Sequence, residues 1–335
     1  SAQTSLSNAE SGFLSTLTDA GAKIGEKIGA GTTASYGTNQ TGQLLITMAD
    51  ASLTVTANSY DIYKNQIAMQ IQKNYYDVLR LQAIVEAKKK AMERGEKQAG
   101  FSEDSYHEGM KAKDDMLIAS AYYDSTKLEY KKALGDLKNA QIDLKKSMNI
   151  PFDTQIELLD PLLDQVEVQD LKAGLESGLA NRLEMQKANA QVLVYDKNFD
   201  AASRVTASNT YIYKEAQLLS NKAKIELENT KLSVTASIYQ SYETLNTVGE
   251  LLEDSKTLID KAKETLEIST YKYQEGFGIE NSLLKKLDLE SSSGTIVEVL
   301  AAEQNLIESE EKIIEIKYNY NLAKAKYLND IGVLK

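Results

Sequence analysis

Apolar residues recur every seven positions through the second half of the chain. Leu245, Leu252, Ile259, Leu266 and Tyr273 form one series, and Val299, Leu306, Ile313, Tyr320 and Tyr327 form another. A sustained seven-residue repeat keeps one stripe of a helix facing a partner, so the two series predict the arms of a long helical hairpin over Tyr242–Gly332. Tyr273-Gln274-Glu275-Gly276 reads as the start of its turn. The first half carries the same object. Val78, Val85, Met92, Ala99 and Tyr106 run into Tyr106-His107-Glu108-Gly109, and Met116, Tyr123, Tyr130, Leu137 and Leu144 follow. Adding 167 carries position 78 to 245 and 106 to 273, while adding 183 carries 116 to 299 and 144 to 327. A stripe of smaller residues obeys the second shift: Ala119, Thr126, Ala133 and Ala140 map onto Ala302, Ser309, Ile316 and Ala323. The shifts differ by 16, so the second hairpin carries about that many extra residues at its bend. A second pairing, Gln98-Ala99-Gly100-Phe101 with Gln274-Glu275-Gly276-Phe277, places the first bend at Gly100 rather than Gly109; equal arm lengths favour Gly109.

The remaining pattern divides the chain into two structural repeats. The first, 1–169, holds an N-terminal helix, a loop, the hairpin 59–149 and a linker. The second, 170–335, holds the hairpin 216–335 with a tip insert at 277–294. Leu14, Leu17, Ala20, Ile24 and Ile28 predict the N-terminal helix, ended by Gly29-Ala30-Gly31. Ser35 to Gly42 reads as loop. Leu44 to Ala57 suits strand or helix, with strand alternation in Leu53-Thr54-Val55-Thr56. Pro151 stops the first hairpin, and Phe152 to Val168 is a non-periodic linker. A helical run opens near Asp170 and continues toward Asp200. Ser203 to Tyr213 breaks it, Val205 to Tyr211 being the most strand-like piece, and helix resumes near Ala216 and runs to Tyr273.

Two prolines in 335 residues leave long helices uninterrupted. With no cysteine and one histidine, neither a disulfide framework nor a Cys/His metal site is possible. No cofactor is expected. A net charge of −11 argues against nucleic-acid binding, which needs a basic stripe. No apolar run is long enough for a transmembrane helix. The chain begins at Ser1 without Met, as a mature or trimmed form would. His107 stands alone beside a bend, without a nucleophile or second ligand, and reads as solvent-exposed.

These features together resemble the TolC-like outer-membrane efflux family. Tyr75-Tyr76-Asp77-Val78-Leu79 is similar to the aromatic start of its long helix, and Asn181-Arg182-Leu183-Glu184-Met185 to the opening of its second half. Tyr273-Gln274-Glu275-Gly276 resembles its Tyr-x-x-Gly before the tip. Thr295-Ile296-Val297-Glu298-Val299-Leu300 resembles its tip segment, and Ala323, Tyr327, Leu328 and Gly332 fit its closing helix. The likeness covers about 60–149 and 170–335. It implies a mainly all-α fold, in which duplicated hairpins form an α-barrel as a homotrimer. It also implies docking to a periplasmic-type adaptor (membrane fusion) protein that serves an inner-membrane pump. The family inserts membrane strands after the first helix of each half. Here those slots are Gly31–Ala57 and Ser203–Tyr213; the second is too short for two spanning strands, which need about 9–11 residues each. The expectation is a TolC-like α-barrel without a membrane β-barrel, holding at most short residual strands.

Carried onto matching positions, the resemblance implies three roles at the tip. Asp114, Asp115 and Glu298 would form an acidic pore constriction, Asp115 mapping onto Glu298 by the second shift. Tyr273 and Asp115 would be the tip latch. Glu108, Gly109, Met110, Glu275, Gly276 and Phe277 would form the adaptor-docking tip. The latch's basic residue has no matching position; Lys285 and Lys286 in the insert are substitutes. Acidic residues at a helix N-terminus are also favoured by the helix dipole alone. The function implied is an extracytoplasmic conduit of the cell envelope, without covalent chemistry. The alternative is a non-transporting helical scaffold, distinguished by a filled apolar axis in place of a hydrated lumen.

Overall fold

The computed structural model describes residues 38–275 and 295–333, and within them every regular element is a helix. In chain order these are α1 (Thr38–His107), α2 (Lys113–Met148), α3 (Leu171–Asn181), α4 (Leu183–Val205), α5 (Tyr211–Ser255), α6 (Leu258–Glu275) and α7 (Ile296–Asp330). The predicted N-terminal helix and the tip insert 277–294 lie outside the described residues. No described helix is long and apolar enough to cross a membrane.

Two readings of local structure are corrected. The loop at Ser35–Gly42 and the strand alternation at Leu53–Thr56 are absorbed from Thr38 onward into α1, a single helix of 70 residues. The Thr-Val-Thr run favours strand only weakly, and Ala51 beside it is buried in a helical core, so packing overrides propensity. Likewise, the strand-like piece at 205–211 is the end of α4, a turn, and the start of α5. Thr206 ends α4, its N–H and hydroxyl both donating to the Ala202 carbonyl at 2.9 and 2.6 Å. Thr210 starts α5 by accepting the Tyr213 N–H at 3.3 Å, as an N-cap does. A third difference is a break between α5 and α6. Thr257-Leu258-Ile259-Asp260 is an N-cap signature there, and it restarts the helix.

The described chain forms two compact units. One takes residues up to 70, 168–244 and from 325 on. Its core joins Ala51 of α1, Val194, Ala201 and Ala202 of α4 and Ala216 of α5, with Tyr195 and Phe199 against them. Within it α3 lies close on its neighbours: a Cβ at Gly178 would run into Ile238 Cδ1 and stand 3.2 Å from the Asp330 carbonyl. Asp170 caps α3, accepting the Lys172 N–H at 2.9 Å. Gly332, at φ +70°, closes α7, with the Val333 N–H donating to Leu328 at 3.0 Å.

The other unit, 71–167 and 245–324, holds the bend of the first hairpin and the described arms of the second. Helix α7 is its most deeply packed element. Val299, Leu306, Ile313 and Tyr320 are all buried, as are Leu245, Leu252, Leu266 and Tyr273 on the descending arm. In α2 the small stripe lies deeper except at the end, where Leu144 is buried and Ala140 half-buried. Met116, Tyr123, Tyr130 and Leu137 are half-buried, whereas the small stripe Ala119, Thr126 and Ala133 is buried. Opposite it, Gly95 of α1 comes so near that a Cβ would meet Thr126 Oγ1 at 3.1 Å. Small residues let the two helix backbones approach, and the large side chains are left at the flanks.

Candidate functional site

The bend of the first hairpin lies at Gly109, and Gly100 sits inside α1. The chain must enter the left-handed region to leave α1, and Gly109 does so at φ +74°. The Met110 N–H then donates to Ser105 at 2.8 Å and the Gly109 N–H to Tyr106 at 3.0 Å, the paired bonds of a Schellman ending. Glu108, Gly109 and Met110 are exposed at this turn, Met110 with 64% of its surface free. His107 is exposed too, 4.0 Å from Glu103. On the second hairpin Glu275 ends α6 and is exposed; Gly276 and Phe277 lie outside the described residues, as do Lys285 and Lys286.

Tyr273 is the centre of the tip. Its ring is fully buried, edge-on to Phe101 at 6.0 Å, and packs in a core with Ala119, Leu266, Ile296 and Val299. Its hydroxyl donates to Asp115 Oδ2 at 3.4 Å and lies 3.4 Å from Ser102 Oγ. Burial, with the Asp115 carboxylate beside it, pushes the phenol above its ordinary pKa, so it remains a donor. The two residues expected to pair are thus brought together, one from each hairpin of the same chain.

The acidic residues separate in their surroundings. Asp114 is exposed in the first turn of α2, and Asp115 is half-buried beneath Tyr273. Glu298 takes a cation instead: Lys272 Nζ donates to its Oε1 at 3.2 Å. Its N–H donates to the Thr295 hydroxyl at 3.3 Å, so Thr295 caps α7 and places Glu298 in the first turn.

Lys111 is the residue that sequence reasoning missed. Its ammonium donates to the Tyr273 carbonyl at 2.8 Å and stands 4.2 Å from the centre of the Tyr273 ring. It comes from the first hairpin, where no matching position drew attention to it; its only sequence signal is its place just after Gly109.

Along the same unit runs a second feature that was missed, a ladder of charges between α1 and α7. Arg94 Nε donates to Glu303 at 2.7 Å, with Glu310 3.9 Å from its Nη2. Lys88 joins Glu129 of α2 at 2.8 Å and Glu311 of α7. Arg80 pairs with Glu315 and stacks 4.9 Å from the Tyr318 ring, whose hydroxyl donates to Asp77 at 2.7 Å. Burial pushes the Glu303 carboxyl above the usual range, against the opposing pull of Arg94. Burial favours the neutral Lys88 amine, but its bonds to Glu129 and Glu311 prevail and hold its pKa above the ordinary value. The signal was available: Arg80 and Arg94, and Glu303 and Glu310, stand at multiples of seven, as charges flanking a coiled-coil seam do.

In the other unit, a cavity of about 310 Å³ between α4 and α5 is lined by Arg182, Lys187, Gln191, Thr230 and Ser233, with the Glu184 carboxylate among them. Arg182 Nη2 donates to Glu184 at 3.0 Å. Among the described residues no cluster of acidic or histidine side chains could hold a metal ion.

No protein-family model matches the chain, and no curated protein matches its sequence. Its structure does match. The outer membrane protein VceC of Vibrio cholerae superposes with a TM-score of 0.68 at 14% identity, over 87% of this chain and 75% of that one. A membrane protein of Pseudomonas aeruginosa gives 0.64 at 12%, over 86% and 71%. The CmeC outer membrane channel of Campylobacter jejuni gives 0.60 at 12%, over 88% and 68%. The chain has the fold of the helical part of TolC-like outer-membrane channels. The likeness is one of fold. No strand occurs among the described residues.

Proposed function

We propose that this chain is the wall of a TolC-like conduit in an export system, and not an enzyme. The observation that carries the reading is the match to outer-membrane channels over 84–88% of the chain at TM-scores above 0.5. On this reading the two halves, 1–169 and 170–335, are tandem repeats, and three copies close into an α-barrel in the cell envelope, outside the cytoplasm. Glu108, Gly109, Met110 and Glu275, with Gly276 and Phe277, form the tip that docks an adaptor protein and through it an inner-membrane pump. Asp114, Asp115 and Glu298 line the constriction, and the Tyr273–Asp115 pair is its latch. Lys272 offsets part of the Glu298 charge, so Asp114 and Asp115 dominate the field there.

Light scattering over a concentration series tests the assembly, with electron microscopy of the particles it finds. Three copies around a water-filled axis are expected. A chain that stays monomeric at high concentration refutes the reading. A trimer whose axis is filled with apolar side chains favours the helical scaffold instead.

A further inference from the structure

Arg94 of α1 reaches two acids of α7 but is bonded to only one. Its Nε donates to Glu303 at 2.7 Å, while its Nη2 stops 3.9 Å from Glu310 Oε2, beyond hydrogen-bond length. Arg94 Nη2 and Glu310 Oε2 are both buried, and neither has a hydrogen-bond partner. A third such atom is the Tyr122 hydroxyl of α2, on which the charges of Glu303 and Arg94 both act. The Tyr122 ring lies against Gly95, the residue after Arg94, where a Cβ would stand 3.6 Å from its Cδ1. Buried polar atoms are nearly always paired, so three orphans around one ion pair call for a reason. Glu303 supplies it. The described residues alone leave it 5% exposed, and a buried carboxylate beside a second acid is costly to keep charged.

We propose that Arg94 takes two partners in turn: a proton on Glu303 releases the guanidinium, which then closes on Glu310. The proton comes from solvent and forms an O–H bond on a Glu303 carboxyl oxygen. The summed charge of Arg94, Glu303 and Glu310 rises from −1 to zero, and no other covalent bond changes. A movement of about 1 Å lets Arg94 Nη2 donate to Glu310 Oε2, so two of the orphaned atoms satisfy each other. The Tyr122 hydroxyl, which burial keeps neutral, is the oxygen left for the new carboxyl proton. Burial, aided by the Glu310 charge, outweighs Arg94 and favours the proton on Glu303. The groups facing Glu303 are Arg94 from α1, Glu310 from α7 and Tyr122 from α2. Glu129 of α2 acts on Tyr122 and is itself held by Lys88, which also takes Glu311. Helix α6 contributes apolar side chains, Ala262 and Leu266, to the core that holds Ala302 and Leu306. Of the ion pairs from α1 to α7, those with Glu303, Glu311 and Glu315, the Glu303 pair is nearest the start of α7. Acid therefore moves this hold seven residues along α7, about 10 Å away from the bend. The exchange does not depend on the conduit reading.

Crystal structures of the full chain at pH 8 and pH 4 read the exchange directly. The expected result is Arg94 bonded to Glu303 at pH 8 and to Glu310 at pH 4. Glu303→Gln imitates the neutral acid at every pH, so its Arg94 is expected on Glu310 at pH 8 as well. Infrared titration in solution is the second measurement. The wild type is expected to show one neutral-carboxyl carbonyl band that appears at higher pH than the bulk of the carboxyl groups. Glu303→Gln is expected to lose that band, and Glu310→Gln to shift it to lower pH, since the second acid no longer favours the proton. Arg94 that stays on residue 303 at pH 4 and in Glu303→Gln overturns the proposal. A band that survives in Glu303→Gln, or none in the wild type, overturns it too, because the proton is then not on Glu303.

Discussion

Arg94 is the sharpest test of how the hairpins are held together. Its guanidinium serves two carboxylates of α7, Glu303 at 2.7 Å and Glu310 at 3.9 Å, and the Glu303 side chain is only 7% exposed. Arg94→Met removes the cation and keeps the stem, leaving Glu303 buried beside Glu310 with no counter-charge. Breaking a buried pair this way costs about 3–5 kcal/mol. Arg94 is itself a quarter exposed, so the lower end applies, about 3 kcal/mol or two powers of ten in the unfolding equilibrium. Glu303→Gln removes the costliest charge and leaves Arg94 its second partner, so it costs about 1 kcal/mol or less. The double variant Arg94→Met/Glu303→Met recovers most of the loss, because no buried charge stays unpaired. The assay is urea unfolding at fixed protein concentration. The pH dependence has a definite sign. Glu303 titrates above its unfolded value, so its contribution favours the fold at low pH and is lost as pH rises through the folded pKa. The penalty of Arg94→Met is therefore smaller at pH 4 than at pH 7. Arg94→Met no worse than Glu303→Gln, or equally costly at both pH values, refutes the reasoning.

Gly109→Ala forces a Cβ into the left-handed region and is expected to cost about 1–2 kcal/mol, whereas Gly100→Ala, inside α1 with open space around it, gains about 0.5–1 kcal/mol; thermal unfolding of the pair reads both signs. Gly178→Ala drives its methyl onto Ile238 and loses about 1–3 kcal/mol by the same measurement, the backbone carbonyl of Asp330 blocking retreat on the other side. Lys111→Gln removes the ammonium from the Tyr273 ring and carbonyl, and Tyr273→Phe removes the bond to Asp115. Each is expected to speed amide hydrogen exchange at the ends of α1 and α6 by about tenfold, without changing exchange in α3 or α4. Unchanged exchange at the tip would show that these contacts do not hold the hairpins together.

The spacing of seven was enough to find both hairpins, because a period fixes which face of a helix is buried before any partner is known. Gly109 could be placed for the same reason, since it balances the arms. What the spacing could not convey was depth. Val299 and Met116 occupy equivalent positions under the repeat, yet Val299 is buried and Met116 is only half-buried. Helix α7 has α1 on one side and α6 on the other, while α2 meets α1 through its small residues. Burial is decided by how many neighbours a helix has, which no single helix records. The two strand-like stretches have a simpler cause. Leu53–Thr56 and Val205–Tyr211 hold only a few β-branched or aromatic residues each, and over such short stretches tertiary packing prevails over propensity.

The tip shows a different limit. Tyr273 and Asp115 were found as a pair because a resemblance supplied both positions, but the resemblance also directed the search for a cation to the second hairpin. Lys111 lies on the first. A cation can approach a buried tyrosine from either arm of a bend, since the requirement is a short reach to the ring and carbonyl and not a particular place in the chain. The same reasoning explains the charge ladder. Arg94 and Glu303 lie 209 residues apart, and only the antiparallel run of α1 against α7 makes them neighbours. Once that pairing is known, the sevenfold spacing of Glu303 and Glu310 places both acids within reach of one guanidinium. Two acids on one cation make the seam dependent on Arg94 and tolerant of losing either acid, which is why the arginine and not the glutamates is the residue to remove.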